Sequence, residues 1–323
     1  MKSILLTGAA GFIGSATAKA LIEGGAEVVG VDNLNDYYDP GLKQYRLDRV
    51  AEFGHFEFHP LDIEDYDGLS RLFDQHAFDC VINLAARAGV RYSMLNPSVY
   101  LQTNAQGTLN LLELMRKHEL QKMVLASTSS LYAGHEMPFS EEMPVNRPLS
   151  PYAASKKAAE AMAYSYHHLY DFDISIVRYF TVYGPAGRPD MSPFRFVKWI
   201  HQGTPITLYG DGGQSRDFTY VDDIARGTCL AMRPVGYEII NLGGGQEPIT
   251  ILELIRRIEA RLDRKATIDY QPVVKADMRE TRAEISKAAE LLDWRPEVTL
   301  DQGLDRTVDW YLENLPWSGE IPV

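Results

Sequence analysis

The pattern of apolar and polar positions predicts a strand, a glycine-rich turn, a helix and a second strand at the start of the chain. A first apolar run ends at Leu6, and residues 7–14 then carry a glycine at every third position from Gly8. An Ala/Leu-patterned stretch follows, and a second apolar run closes on Asp32. The first 32 residues are therefore expected to form a compact strand–turn–helix–strand unit.

Apolar runs and amphipathic segments keep alternating after this unit. Strands are predicted at residues 56–59, 78–84, 122–126 and 174–178, and long helices at residues 97–118 and from Pro151 onward. This alternation predicts the α/β class with a doubly wound parallel sheet, a Rossmann fold, in which ligands lie beyond the carboxyl ends of the strands.

Two domains are expected. Residues 1–180 would form the Rossmann domain, and residues 181–323, where Pro and Gly are frequent and helices short, a smaller mixed α/β domain that binds the substrate. Residues 217–243 contain a helix and a strand that are expected to return to the first sheet. The triplet at residues 243–245 invites a second nucleotide site, but we interpret it as a plain turn, because the helix predicted after it lacks the required strand at its end.

The glycines at positions 8, 11 and 14 suit a pyrophosphate site, since the turn is tight, the backbone must approach the phosphates and the helix N-terminus offers N–H groups. Asp32 is placed to accept hydrogen bonds from an adenosine ribose, and its charge would repel a 2′-phosphate, which favours NAD over NADP. Asp62 either meets the adenine or caps the helix near Leu69. Together with Asp32 and Asp62, the candidate cofactor residues of this half are Gly8, Gly11, Phe12, Ile13, Gly14, Asn33, Ile63, Leu84, Ala85 and Ala86.

Tyr152 and Lys156 lie four residues apart on the helix that begins at Pro151, so both side chains project from one face. The ammonium of Lys156, together with a positively charged nicotinamide ring, would lower the pKa of the phenol and make it a base. Thr128, at the end of a neighbouring strand, would share a hydrogen bond with the same substrate hydroxyl. This set predicts removal of a hydroxyl proton as hydride leaves the same carbon for NAD.

Bulk composition narrows the classes of partner. The 323 residues carry a formal net charge of -12, which argues against a nucleic-acid surface. Cys80 and Cys229 lie in apolar runs and are expected to be buried, reduced thiols. The first strand begins too early for a signal peptide, and no apolar run approaches membrane-spanning length, so a cytoplasmic location is expected. The adjacent His167 and His168 lack the spacing of a helical zinc pair, and no metal site is predicted.

The chain resembles the extended short-chain dehydrogenase/reductases, and within them the nucleotide-sugar 4-epimerases, most closely those that act on UDP-glucuronate. The segments that carry the resemblance are residues 7–14, 85–93, 127–132, 152–156, 178–191 and 216–223. The resemblance implies that hydride leaves C4 of the sugar, that the 4-keto intermediate turns about its diphosphate, and that the same nicotinamide returns the hydride to the opposite face. NAD would then stay bound throughout.

The resemblance also implies roles for particular residues. Thr128, Tyr152 and Lys156 would be catalytic, Asn104 and Tyr179 would line the cofactor site, and Tyr209 and Arg216 would bind uridine and diphosphate. Arg188 is expected to bind the sugar carboxylate, because a guanidinium matches a carboxylate with two hydrogen bonds. The remaining candidate substrate residues are Arg91, Ser129, Ser130, Thr181 and, near the diphosphate, Arg279.

Three other functions remain open. Family members that dehydrate or decarboxylate the sugar carry a carboxylic acid next to the catalytic Thr, where this chain has Ser129 and Ser130. Without that acid, dehydration and decarboxylation are disfavoured. A UDP-glucuronate decarboxylase nevertheless remains the nearest alternative enzyme, followed by a UDP-glucose 4-epimerase. From a different class, a catalytically silent NAD-binding regulator would not need an intact Thr128, Tyr152 and Lys156.

The chain departs from the family pattern at a few positions. Ala133 stands where a Gly is usual, Arg87 where many members have Gln, and residues 275–279 differ from the usual Pro-Gly-Asp run, which leaves the diphosphate contacts there open. The predicted helices at residues 97–118 and 152–170 resemble those that form a four-helix dimer contact in this superfamily, so a homodimer is expected.

Overall fold

The computed structural model describes residues 1–245, 247–273 and 278–323. Within these ranges the strands are β1 Ser3–Thr7, β2 Glu27–Asp32, β3 Phe56–Pro60, β4 Cys80–Asn83, β5 Lys122–Thr128, β6 Asp173–Tyr179, β7 Thr181–Tyr183, β8 Ile206–Tyr209, β9 Ser215–Arg216, β10 Phe218–Tyr220, β11 Tyr237–Leu242, β12 Ile249–Thr250 and β13 Ile268–Gln271. Each strand predicted from the sequence is present, with bounds shifted by a few residues.

The helices surround these strands. They are α1 Phe12–Glu23, α2 Pro40–Ala51, α3 Tyr66–Gln75, α4 Val90–Leu95, α5 Pro97–Tyr100, α6 Gly107–Lys117, α7 Pro151–Tyr170, α8 Ser192–Gln202, α9 Val221–Leu230, α10 Ile251–Leu262, α11 Ser286–Leu292, α12 Leu300–Glu313 and α13 Leu315–Ser318. A π-type segment, Leu101–Gln106, joins α5 to α6, and a short 3₁₀ turn, Ser129–Tyr132, follows β5.

The described residues form a seven-stranded parallel sheet in the order β11-β6-β5-β4-β1-β2-β3. Successive residues of a strand face opposite sides, so Ile4 and Leu6 pack in one hydrophobic core and Leu5 in the other. Burial on both faces explains why the central residues of β1, 4–6, form an unbroken apolar run. The strand order reverses between β1 and β4, and a doubly wound sheet holds its ligand in the crevice at that point. The predicted fold class is confirmed.

The second half of the chain builds small two-stranded sheets and helices beside the crevice, with β7 pairing with β10, β9 with β12 and β8 with β13. Its strand β11 lies next to β6 in the main sheet, and α9 packs against α1. The turn at residues 243–245 leads through β12 to α10, whose N-cap is Thr250. The division of the chain at residue 180 stays a prediction.

The single helix expected over residues 97–118 is interrupted. Residues 101–106 take the wider π-type turn, and the hydroxyl of Thr108 donates to the carbonyl of Asn104 at 2.7 Å. A hydroxyl that binds the carbonyl four residues earlier competes with the helical N–H and bends the helix. The helix α7 instead begins where it was predicted, with the side chain of Ser150 accepting from the Ala153 N–H.

Among the described helices, none combines the length and the apolar character needed to span a bilayer. Cys80 and Cys229 are both free thiols, and burial raises the pKa of each to about 12. Cys80 is buried as predicted, whereas Cys229 is only partly buried and packs against the edge of the main core.

Candidate active site

A cavity of about 950 Å³ opens beyond the carboxyl ends of the parallel strands, between the sheet and the second half of the chain. The structure brings nearly all of the predicted site residues to its walls. They are Gly8, Gly11, Phe12, Ile13, Gly14, Asp32, Asn33, Asp62, Ile63, Leu84, Ala85, Ala86, Arg91, Thr128, Ser129, Ser130, Tyr152, Lys156, Tyr179, Thr181, Arg188, Tyr209 and Arg216. Two predicted residues, Asn104 and Arg279, are not part of the lining.

The glycine turn fits a dinucleotide. Gly8 has φ +72°, and a Cβ there would lie 2.7 Å from the amide N of Ala85, while a Cβ on Gly14 would lie 1.9 Å from the carbonyl of Gly8. Only glycine permits this close packing. Gly11 is the N-cap of α1 and provides no side-chain hydrogen bond to it, and residues 11–14 line the cavity. The backbone N–H groups at the start of the helix therefore suit an anionic group.

Asp32 braces this turn as well as lining the cavity. Its two carboxylate oxygens accept hydrogen bonds from the N–H groups of Ala10 at 3.2 Å and Leu34 at 2.9 Å. The structure also decides the two interpretations of Asp62. Helix α3 is capped by Asp65, whose carboxylate accepts from Gly68, whereas Asp62 binds the side-chain amide of Asn33 at 2.6 Å beside the cavity. The capping interpretation of Asp62 is wrong.

The three residues predicted to be catalytic converge on one wall. Lys156, only 4% exposed, donates to the carbonyl of Ala126 at 3.0 Å, next to the end of β5 that carries Thr128. Burial lowers the pKa of Lys156 to about 8, against a smaller opposing effect of the Glu160 carboxylate. Tyr152 lies in the turn of α7 before Lys156 and hydrogen bonds with Thr128.

The pKa of Tyr152 differs from the expectation. Burial raises this pKa, and the hydrogen bond with Thr128 and the charge of Arg188 lower it by less. The sequence predicts that Lys156 lowers the pKa of Tyr152, because the four-residue spacing along the helix is the only relation between the two residues that a sequence shows. In the folded protein, the residues that favour the phenolate are thus Thr128 and Arg188, and they do not outweigh desolvation.

A buried ion pair supports this wall from behind. Glu160, one helical turn after Lys156, accepts from Arg178 at 2.9 and 2.8 Å and from the hydroxyl of Ser127 at 2.7 Å. Both charged side chains are 1% exposed. Burial raises the pKa of Glu160, but Arg178 and Ser127 outweigh it and the net pKa is lowered. Glu160 was missed in the sequence, although its position four residues after Lys156 was a usable signal.

Arg188 lines the cavity but is already paired. Its Nε and Nη2 atoms donate to the two carboxylate oxygens of Asp190 at 3.0 and 2.6 Å. The guanidinium also lies 5.9 Å from the ring centre of Tyr37. Burial lowers the pKa of Arg188, but Asp190 more than compensates and the net pKa is raised. Neither Asp190 nor Tyr37 was identified from the sequence, because nothing in the pattern distinguishes them from other loop residues.

The far end of the cavity carries Arg91, Tyr209 and Arg216. The guanidinium of Arg91 lies 4.2 Å from the ring centre of Tyr209, a stacking distance. Arg216 donates to the carbonyls of Ser215 at 2.7 Å and of Arg279 at 3.3 Å. Arg279 thus supports Arg216 through its backbone, while its own side chain is exposed and outside the lining, contrary to the prediction. Lys275 lies outside the described residues.

Asn104 lies behind the cavity wall instead of lining it. Its side chain is 1% exposed and binds the backbone of Arg87 twice, accepting from the N–H at 2.8 Å and donating to the carbonyl at 2.9 Å. It also donates to the hydroxyl of Ser155. Asn104 thus fixes the loop after β4. The prediction that Asn104 lines the cofactor site is wrong, because it lies one layer behind the cavity wall.

One cluster of candidate metal ligands lies outside the cavity lining. Glu57, His59 and His76 place their ligand atoms within 4.8 Å of one another. A hydrogen bond of 2.8 Å between His59 and Glu57 accounts for the approach of these two side chains.

The fold and the cavity define a protein of the nucleotide-binding epimerase and dehydratase class. The model of the NAD dependent epimerase/dehydratase family matches residues 4–243, and the chain belongs to this family. It is 55% identical over 319 residues to UDP-glucuronate 4-epimerase of Thermodesulfobacterium geofontis, an alignment that covers 99% of both chains.

Solved structures give the same picture. UDP-glucuronic acid 4-epimerase from Bacillus cereus, in complex with UDP-glucuronic acid and NAD, is 38% identical with a TM-score of 0.90, over 97% of this chain and 99% of that one. UDP-glucose 4-epimerase from Thermotoga maritima, with UDP-glucose, is 32% identical with a TM-score of 0.88, over the same shares of the two chains.

Proposed function

We propose that this protein is an isomerase that interconverts UDP-glucuronate and UDP-galacturonate by inverting C4 of the sugar, with NAD as its cofactor. The observation that carries the proposal is a single cavity that joins the glycine turn and Asp32 to Thr128, Tyr152 and Lys156. Family membership and the 55% identity to a UDP-glucuronate 4-epimerase support it.

The chain's own residues suit the cofactor in two respects. The backbone of residues 8–14 would hold the diphosphate, and Asp32 would accept from the adenosine ribose, with its charge favouring NAD over NADP. When bound, NAD accepts hydride from C4 and donates hydride to it.

The protein moves one proton at a defined atom. Tyr152 Oη would take the proton of the C4 hydroxyl and later return it, with the Thr128 hydroxyl fixing the direction of the hydrogen bond. The hydrogen bond with Thr128 and the charge of Arg188 favour the phenolate form of Tyr152. The pKa of Lys156 is about 8, so at neutral pH its ammonium is largely charged. Because hydride and proton both return to the sugar, no net oxidation results.

The sugar carboxylate has to be kept in one orientation during the reaction. A 4-keto uronate is a β-keto acid, and it loses CO₂ when the carboxylate turns perpendicular to the carbonyl. Arg188 and the hydroxyls of Ser129, Ser130 and Thr181 line the same cavity, and we propose that they keep the carboxylate in place. Tyr209 and Arg216 would hold the uridine and the diphosphate, about which the sugar turns.

The alternatives fit the wall next to Thr128 less well. A decarboxylase or dehydratase of this family uses a carboxylic acid at that point, and Ser129 and Ser130 provide none. A neutral-sugar epimerase would leave the charge of Arg188 without a substrate partner. A silent NAD-binding protein would not need the three residues that converge on α7 and β5.

The test is to incubate the purified protein separately with UDP-glucuronate, UDP-glucose and UDP-N-acetylglucosamine and to resolve C4 epimers from pentose products. UDP-galacturonate from UDP-glucuronate is the expected product. UDP-pentose as the main product would establish the decarboxylase instead, and faster turnover of UDP-glucose the neutral-sugar epimerase. Release of NADH without any epimer would refute the catalytic cycle itself.

We further propose a homodimer that works in the cytoplasm, where NAD and UDP-sugars are both available. The π-type segment and α7 pack together, and they expose large apolar side chains, of which Leu101 is 55% and Leu169 63% exposed. A second copy of the chain would cover this face. Sedimentation of the wild type and of Leu101→Asp tests the dimer, and a monomeric wild type would contradict it. Cell fractionation tests the location.

A further inference from the structure

The cavity contains a cationic side chain whose positive charge is not balanced by an ion pair. Lys43, on α2, is 4% exposed and lines the cavity. Its Nζ donates to the backbone carbonyl of Asn35 at 2.7 Å, and in the described part of the chain no carboxylate lies within ion-pair distance. Burial lowers the pKa of Lys43, the charges of Asp32 and, more weakly, Asp36 oppose this effect, and the charges of Arg46 and Arg87 add to it.

Arg87 lies in the same part of the cavity. Its Nη1 donates to the side-chain oxygen of Asn35 at 3.3 Å, and its backbone is fixed on both sides by Asn104. Across the described ranges it forms no ion pair either. Both cations therefore meet on one neutral residue, Asn35, in a chain with a formal net charge of -12.

Arg46 adds a third positive charge behind this wall. It is 3% exposed, and its guanidinium donates to the carbonyls of Ala10, Ala186 and Gly187. All of these partners are neutral. Ala10 belongs to the glycine turn, and Lys43 and Arg87 line the same cavity as residues 11–14, where N–H groups of α1 favour an anion. Lys43 and Arg46 are buried and donate hydrogen bonds only to neutral oxygens, and an anion in the cavity would stabilise such an arrangement.

We propose that Arg87 and Lys43 bind the diphosphate of the dinucleotide and so keep it from leaving between catalytic cycles. The proposal rests on the proposed function only in taking that dinucleotide to be NAD. Arg87 can direct N–H donors to phosphate oxygens, because one contact to Asn35 leaves most of its guanidinium donors available. Lys43 adds a point charge on the same side. Arg46 acts through the backbone of the turn and is a positioning residue.

The experiment measures release of the cofactor, and no catalysis is needed. Holoenzyme is incubated with labelled NAD, and the rate at which label replaces the bound dinucleotide is followed for wild type, Arg87→Gln, Arg87→Lys and Lys43→Gln. Arg49→Gln is the matched control, since Arg49 is an exposed arginine of α2 paired to Glu52. Binding of UDP is measured on the same proteins.

Exchange should be about tenfold faster in Arg87→Gln and in Lys43→Gln, the size expected for losing one charge-assisted hydrogen bond. The exchange rate of Arg87→Lys should lie between those of Arg87→Gln and wild type, and the exchange rate of Arg49→Gln should equal that of wild type. Affinity for UDP should stay within about twofold throughout.

An unchanged exchange rate in Arg87→Gln overturns the proposal, and an unchanged rate in Lys43→Gln removes Lys43 from it. Weaker UDP binding with unchanged NAD exchange places the anion on the sugar nucleotide and also overturns it. If unlabelled NADP displaces the bound label as readily as unlabelled NAD does, the cations bind the 2′-phosphate of a ribose, and the proposal is again overturned. Wild-type protein without any dinucleotide refutes the proposed function itself, which distinguishes the two failures.

Discussion

Asp190 holds Arg188 by a two-point ion pair, with Nε to Oδ1 at 3.0 Å and Nη2 to Oδ2 at 2.6 Å. A guanidinium has two edges that can each bind a carboxylate, and Asp190 takes the edge formed by Nε and Nη2. On the other edge, Nη1 makes no hydrogen bond to the described residues, and Nη2 has a second N–H that points away from Asp190. Asp190 thus leaves one edge of Arg188 available, and in the proposed function it sets the direction from which a substrate carboxylate would be bound.

Arg188→Ala should weaken binding of UDP-glucuronate and let the 4-keto intermediate lose CO₂. The loss of charge-assisted hydrogen bonds predicts a KM about tenfold to a hundredfold higher, with 4-keto-pentose among the products. Product analysis and steady-state kinetics measure both effects. Arg188→Lys keeps the charge without the planar fork and should recover only part of the affinity. If Arg188→Ala leaves KM unchanged and yields no pentose, Arg188 does not hold the carboxylate.

Asp190→Asn should loosen Arg188 without removing it. An amide presents one oxygen and one N–H₂ group, so it cannot accept from both guanidinium nitrogens. We expect a severalfold rise in KM for UDP-glucuronate, smaller than in Arg188→Ala, and a reduced preference for UDP-glucuronate over UDP-glucose. A KM ratio between the two sugars equal to that of wild type would show that Asp190 only stabilises the loop.

Tyr152→Phe should lower kcat by about 10²- to 10⁴-fold, because it removes the atom that accepts the C4 proton. The phenyl ring fills the same buried space, so bound NAD and the affinity for UDP should stay close to wild type. Single-turnover kinetics and binding titrations measure the two properties separately. A variant that retains most of its kcat would assign the proton transfer to another group.

Gly14→Ala should abolish retention of the dinucleotide. Alanine usually stabilises a helix relative to glycine by about 1 kcal/mol, but here its Cβ would lie 1.9 Å from the carbonyl of Gly8 and displace the turn. Gly25→Ala is the control, since a Cβ there meets nothing within 4 Å, although its φ of +83° makes the change mildly destabilising. We expect dinucleotide in the purified control and almost none in Gly14→Ala, measured by absorbance after denaturation.

Lys156→Met should change how stability depends on pH. The pKa of Lys156 falls from 10.5 to about 8 on folding, chiefly through burial. Between these values the unfolded chain binds more protons than the folded one, so this group makes stability rise with pH from about 8 to 10.5. Below pH 8 the buried charge costs the folded state the full amount, roughly 3 kcal/mol.

The melting temperature of Lys156→Met relative to wild type should therefore be highest near pH 7 and fall as the pH rises from 8 to 10. Both proteins are measured with saturating NAD. Lys19→Met, at an exposed lysine of α1, is measured in the same way as the control for loss of a lysine outside the site. A difference for Lys156→Met that does not vary with pH would mean that the folded pKa is not lowered.

Local patterns were enough to predict the central sheet and one side of the site. The apolar runs of β1, β2, β4 and β5 are long and continuous because both faces of those strands are buried, and that property is visible residue by residue. The same holds for Gly8 and Gly14, where a turn demands glycine, and for Tyr152 and Lys156, whose common face follows from helix geometry alone.

The tertiary structure decided which polar side chains meet. Asn104 was expected in the cavity and lies behind Arg87, and Arg279 supplies a carbonyl instead of a guanidinium. Helix α2, which carries Lys43 and Arg46, was not predicted. Each of these outcomes depends on contacts between segments far apart in the chain. Spacing along the chain fixes the face of a helix or strand that carries a side chain, whereas its partner is fixed only when other segments pack against that face.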